Sequence, residues 1–178
     1  DFKYHVKPHP RLRWSDVHYT HSDFTPLHKP AEIYIKCEFP SSIPENKLLA
    51  IRRTSKGIFK VHVGEYSVGY YSFKTKHFGD FYIFHDTIPP KIKPLNIHEG
   101  KNIRLQSKFD FKISDNLAGI ESYNCFIDGK WVLMEYDFKK SRLTHYKHDV
   151  IPAGKHELKL VVIDAVGNEK IFRCSFYN

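Results

Sequence analysis

Phe109-Asp-Phe-Lys-Ile-Ser-Asp-Asn-Leu-Ala-Gly-Ile120 alternates apolar and polar residues as far as Ile113 and then breaks at an acidic corner. Successive side chains of a strand point to opposite sides of a sheet, so this period of two marks a strand with one buried face. The corner Asp115-Asn-Leu-Ala-Gly119 has a counterpart in Asp164-Ala-Val-Gly-Asn168, which separates Leu158, Leu160 and Val162 from Phe172, Cys174 and Phe176. Between the corners, Tyr123, Cys125 and Ile127 run into Asp128-Gly129. That pair tolerates positive φ at both positions and suits a two-residue hairpin turn, with Trp131, Leu133 and Tyr136 on the returning strand. With Ile103, Leu105 and the segment Leu143 to Tyr146, this half offers about seven short strands joined by tight turns, the pattern of a β-sandwich.

Upstream lies Asp86-Thr-Ile-Pro-Pro-Lys-Ile-Lys-Pro94, where three prolines withhold backbone donors and favour an extended connection. It divides the chain into two halves with no strong internal repeat. The first half reads as Ile33 and Ile35, a turn from Pro40 to Pro44, then Leu48, Ala50 and Arg52, Ile58 to Val63, Tyr66 to Lys74, and Phe81 to Phe84. Gly57, Gly64, Gly69 and Gly79 fall at turns or bulges. Residues 1–30 are rich in His, Pro and Tyr and lack clean periodicity. They read either as an arm on the first sandwich or as the remnant of a preceding domain. The expected organisation is 1–30, then a first sandwich over 31–87, then a second over 88–178. Nowhere is a helical period sustained for three turns, which argues against an α/β enzyme fold.

Hydrophobic residues make up 41% of the 178, enough for one good core or two modest ones. No apolar run approaches the ~18 residues of a membrane span, and no charged-then-apolar leader opens the chain. Beginning with Asp1 rather than Met, the sequence reads as a processed form or a fragment. The net charge of +8 favours anionic partners, yet Lys and Arg fall singly or in pairs, as in Arg52-Arg53 and Lys139-Lys140, and nucleic acid is not expected. Cys37, Cys125 and Cys174 lack zinc-finger spacing. Cys125 and Cys174 share the phase of their apolar neighbours, which points both into one core as buried thiols, with a disulfide between them the alternative.

No catalytic constellation stands out. His5 and His9 lie beside prolines, His18 and His21 precede Asp23, and His145 precedes His148 and Asp149. A pair three apart shares a face only on a helix, and none is expected there, so these read as incidental histidines. No Gly-x-Ser-x-Gly elbow and no phosphate-cradling glycine loop occurs. Asp115, Asp128, Asp164 and Glu135 are acidic enough for paired-carboxylate chemistry, but the aspartates sit at turns, where Asp shapes the backbone by its own hydrogen bonds. The corners offer too few carboxylates for a strong calcium site. The one candidate ligand platform is Tyr66, Tyr70, Tyr71 and Phe73, a concentration of aromatics beside Gly64 and Gly69 suited to stacking on a sugar or peptide. No cofactor is expected.

Four stretches in this order, Phe78-Gly-Asp-Phe-Tyr-Ile-Phe-His-Asp-Thr-Ile-Pro-Pro90, Ile113-Ser-Asp-Asn-Leu-Ala-Gly-Ile120, Ile127-Asp-Gly-Lys-Trp-Val-Leu-Met-Glu-Tyr-Asp137 and Val162-Ile-Asp-Ala-Val-Gly-Asn168, carry a resemblance. Over residues 30–178 the chain resembles the non-catalytic C-terminal region of secreted, lysostaphin-like zinc metallopeptidases of Gram-negative gut bacteria. The resemblance implies an all-β chain of two tandem immunoglobulin-like β-sandwich domains, secreted or in the cell envelope. It also implies an accessory role beside an upstream peptidase domain that cleaves peptidoglycan. That family holds zinc with a His, an Asp four places on, and a His-x-His. No His-x-His occurs here, so no catalytic or metal-binding residue carries over. The alternative is a carbohydrate- or peptidoglycan-binding module, with peptidoglycan or an envelope protein as partner.

Overall fold

The computed structural model describes residues 2–8, 13–147 and 151–178. Among them there is no α-helix, and the chain divides into two compact all-β units, Asp1–Thr87 and Ile88–Asn178.

The first unit contains β1 (Tyr4–Lys7), β2 (Val17–Thr20), β3 (Pro26–Lys36), a 3-10 turn (Glu45–Lys47), β4 (Leu48–Arg53), β5 (Phe59–His62), β6 (Glu65–Ser67), β7 (Tyr70–His77) and β8 (Gly79–His85). One sheet runs β1-β2-β8-β4-β5 and the other β3-β7-β6. The stretch read as an arm or remnant therefore supplies two strands of the larger sheet, with β2 pairing antiparallel to β8. Its periodicity was hidden because His and Tyr, not aliphatics, occupy the alternating positions. Leu48, Ala50, Phe81 and Ile83 from one sheet meet Ile35, Tyr71 and Phe73 from the other, with Cys37 beside them. β4 is buried along nearly its whole length, which its unbroken run Leu-Leu-Ala-Ile reflects.

Gly64, between β5 and β6, has a packing reason. A Cβ built there lies 1.9 Å from the Ser72 carbonyl oxygen. The backbone is held at this approach by Tyr71, whose buried hydroxyl accepts the Gly64 N–H at 2.7 Å and donates to the Leu48 carbonyl at 3.0 Å.

The second unit contains β9 (Lys91–Pro94), β10 (Lys101–Asn102), β11 (Lys108–Ser114), β12 (Ile120–Ile127), β13 (Lys130–Val132), β14 (Glu135–Asp137), β15 (Arg142–Tyr146), β16 (Lys155–Asp164) and β17 (Glu169–Tyr177). Its sheets run β10-β17-β16-β12-β13 and β14-β15-β11-β9. Phe109, Phe111, Ile113 and Leu143 from one face pack on Cys125, Leu158, Leu160, Val162 and Phe176 from the other, a sandwich core. Burying a large apolar side chain of this kind contributes about 1.5–3 kcal/mol. Asp128 and Gly129 take φ of 49° and 77°, and Ile127 pairs with Lys130, the expected two-residue hairpin.

The returning strand is shorter than expected and ends at Val132. Trp131 and Leu133 are exposed, and Val132 is the residue turned toward the core. Tyr136 lies on β14, in the other sheet, because the chain crosses between sheets after Val132. The tight turn forces the register, so Trp131 must face the same way as its cross-strand partner Phe126.

Candidate functional site

The acidic corners are turn-builders. One Asp115 carboxylate oxygen accepts the N–H groups of Leu117 (2.7 Å) and Gly119 (3.0 Å). Asp164, buried, accepts Val166 N–H (3.0 Å) and Asn168 N–H (2.8 Å) on one oxygen and the Asn168 side-chain amide (2.7 Å) on the other. The two corners adjoin: Ala165 N–H donates to the Gly119 carbonyl at 3.1 Å, and carboxylate oxygens of Asp115 and Asp164 come within 4.8 Å. Three of their four oxygens are thus committed to protein donors.

Asp128, at the hairpin, binds Glu157 N–H through Oδ1 (2.8 Å) and His156 Nδ1 through Oδ2 (2.6 Å), while His156 Nε2 meets the Pro152 carbonyl at 2.8 Å. Both ring nitrogens face acceptors, an arrangement only the imidazolium satisfies fully. The Asp128 hydrogen bond accordingly raises the His156 pKa, and that of Asp128 is lowered, first by His156 and then by the Glu157 N–H. A raised histidine contributes stability that is complete below its unfolded pKa and lost as pH rises through the folded one. A depressed carboxylate contributes above its unfolded pKa and loses it as pH falls through the folded one. The pair is therefore most stabilising between about pH 4 and 6.5. Thermal melts across about pH 5 to 8 are expected to show stability falling with pH, and His156→Gln to flatten that fall. An unchanged slope in the variant would remove His156 as the cause.

A second buried carboxylate, Asp110, accepts Thr144 Oγ1–H (2.8 Å) and faces Arg142 (3.0 Å) and Lys108 (3.4 Å). Burial pushes its pKa upward, but Thr144 and the two cations prevail and the net shift is downward. All three cysteines are buried free thiols, with no disulfide joining Cys125 and Cys174. Burial pushes their pKa values up to about 11 for Cys37, 12 for Cys125 and 11 for Cys174, so the reactive thiolate is scarce at neutral pH.

The histidines have local partners. His5 stacks on Tyr19 at 4.4 Å, His18 Nδ1 meets the Tyr4 hydroxyl at 2.9 Å, His21 packs against Phe78, and His145 Nδ1 meets the Leu133 carbonyl at 2.8 Å. His9, His148 and Asp149 lie outside the described residues. Glu135 is exposed on β14.

The aromatic platform of the first unit does not stand as expected. Tyr71 (1% exposed) and Phe73 (3%) are core residues, because β7 turns alternate positions inward against β4 and β8. Tyr66 is half-buried, edge-on to Phe39 at 4.9 Å, and only Tyr70 of the four faces outward.

A different surface presents aromatics. On the outer face of the five-stranded sheet of the second unit, the pairings Trp131↔Phe126, Phe126↔Lys159 and Lys159↔Arg173 align four side chains in one row across β13, β12, β16 and β17. Trp131 is 58% exposed, and its indole N–H donates to Asn124 Oδ1 at 3.1 Å. Lys159 Nζ sits 5.7 Å from the Phe126 ring centre. Phe126, Lys159 and Arg173 line a groove of about 610 Å³. Three members lie between inward residues in sequence, Phe126 between Cys125 and Ile127, Lys159 between Leu158 and Leu160, Arg173 between Phe172 and Cys174, but their alignment with Trp131 comes from the strand registers.

Comparison with known proteins adds a local match. Residues 1–86 match the Zu5-like domain. This is the span of the first unit, including the residues that the sequence left unassigned. No curated protein matches the chain. Among solved structures, the chain is similar to dimeric latent PorU from Porphyromonas gingivalis (11% identity, TM-score 0.43), over 85% of this chain and 22% of that one. It is also similar to the fibronectin(III)-like modules of Clostridium thermocellum CbhA (12% identity, TM-score 0.40), over 97% of this chain and 93% of theirs. The chain thus spans about a fifth of the length of PorU.

Proposed function

We propose that this chain is a non-catalytic accessory module, a spacer, docking or stabilising element, of a cell-envelope zinc metallopeptidase that acts on peptidoglycan. Its immediate partner on this reading is an upstream peptidase domain of the same polypeptide. One observation supports the non-catalytic part: three of the four candidate carboxylates are spent on the backbone, Asp115 and Asp164 at their corners and Asp128 at the hairpin, which leaves Glu135 without a paired carboxylate among them. The motif order across residues 78–168 supports the peptidase association, and the envelope location follows from it. The test is incubation of the purified chain with peptidoglycan sacculi and added zinc. Neither released muropeptides nor stoichiometric bound zinc is expected, and turnover together with one zinc per chain would overturn the proposal.

A second reading, a carbohydrate- or peptidoglycan-binding module, is favoured by the exposed row of Trp131 and its cationic neighbours. Retention on sacculi above that of a charge-matched control protein is its expected result. Recovery equal to the control would count against it.

A further inference from the structure

We propose that the outer face of the sheet β10-β17-β16-β12-β13 binds a glycan in which carboxylate-bearing rings alternate with neutral ones, with Trp131 stacking a ring and Arg173 and Lys159 taking the carboxylate. The inference rests on the carbohydrate-binding reading and gives it a site and a ligand class.

The indole is exposed yet fixed. A solvent-facing tryptophan ordinarily loses side-chain freedom on binding, but the Asn124 hydrogen bond already holds this ring, so less ordering remains to be done. A flat aromatic surface accepts the apolar face of a sugar as it accepts other rings and C–H groups. Phe126 beneath Lys159 extends the apolar floor toward the cations.

Adjacent strands lie about 4.8 Å apart, so the row from Trp131 to Arg173 spans roughly 14 Å. That separates a ring-stacking position from a charge-pairing position along one row, with Phe126, Lys159 and Arg173 lining the groove and Trp131 next to Phe126 on the neighbouring strand. Arg173 is exposed, and no ion pair ties either Arg173 or Lys159 to a carboxylate among the described residues. A guanidinium in this state is suited to a bidentate carboxylate contact.

The remaining groups decide against a denser polyanion. Glu99 and Glu157 line the same groove, together with a third cation, Lys155. Glu99 accepts Ser175 N–H at 2.9 Å and the Ser175 hydroxyl, which fixes a negative charge on this face. Single-stranded nucleic acid carries a charge on every repeat and needs aromatics interleaved with cations along a uniformly positive track. Here Glu99 and Glu157 sit beside the cations in one groove, so a ligand with charge on every second ring meets less repulsion.

Titration calorimetry of the full chain at low ionic strength with a hyaluronan octasaccharide tests this. Weak binding is expected, falling about tenfold in Trp131→Ala and in Arg173→Gln, a loss of about 1.4 kcal/mol each. Tyr70→Ala, on the first unit, is expected to bind as the parent does. Neutral chitohexaose binding as tightly as hyaluronan, oligo(dT) binding more tightly, or hyaluronan affinity unchanged in Trp131→Ala would each overturn the assignment. Failure with hyaluronan but retention on sacculi sinks this site while leaving wall binding intact; failure with both removes the reading on which it rests. Both substituted side chains are exposed, and unchanged melting temperatures confirm that lost binding is not lost folding.

Discussion

Asp164→Ala is expected to destabilise the chain by about 3–5 kcal/mol, because two backbone N–H groups and the Asn168 amide lose a buried charged acceptor, at about 1–3 kcal/mol for each lost partner. For a domain of this size that corresponds to a fall of more than about 10 °C in Tm. The opposing effect is relief of repulsion from Asp115, whose carboxylate approaches within 4.8 Å. Asp164→Asn separates the two. It keeps an oxygen for Val166 and Asn168 but turns a donor toward the Asn168 amide, and is expected to lose about 1–2 kcal/mol. If repulsion dominated, Asp164→Asn would melt above the parent protein, and the corner would be a strained site rather than a staple.

Gly64→Ala is expected to cost at least about 3 kcal/mol, at the upper end of overpacking effects. The added methyl would stand 1.9 Å from the Ser72 carbonyl oxygen, 2.9 Å from the Ser72 carbonyl carbon and 3.0 Å from the Phe73 Cβ. Backbone atoms cannot swing aside as a long side chain does. Relaxation must also pull Gly64 N–H from the Tyr71 hydroxyl, which is anchored to Leu48. Gly69→Ala is the informative contrast. Gly69 has a positive φ of 83° but open space around it, so only the backbone penalty of about 1–2 kcal/mol applies. Equal urea midpoints for the two variants would refute the steric account.

Much of the second unit could be read directly. Phe109, Phe111 and Ile113, then Cys125 and Ile127, then Leu158, Leu160 and Val162 recur at every second position, and that period encodes strand and face together. What failed was the far side of the hairpin. Grouping Trp131, Leu133 and Tyr136 by hydrophobicity put them on one returning strand, whereas β13 ends at Val132 and Tyr136 lies on β14 in the other sheet. In the first unit, β1 and β2 were missed because β2 is set by pairing with β8, some 60 residues away in sequence, and β1 by pairing with β2. The candidate site followed the same logic. Tyr71 and Phe73 drew attention as a dense aromatic cluster, yet density on a strand shared by two faces is what a core produces. The row at Trp131 involves four strands and becomes visible only when their registers are known.

The border strands bear on a hazard common to β-proteins, edge-to-edge growth into fibrils. In the second unit, β9, β10, β13 and β14 are all four residues or shorter, and Lys91, Lys93, Lys101 and Lys130 lie on three of them. An incoming edge finds few free backbone groups and like charge. The longest border strand of the first unit, β3, begins with Pro26 and carries Pro30, neither of which can donate to a new neighbour. Crowded at high local concentration, such chains are poor templates for one another, and their sheets end where their own sequence ends them.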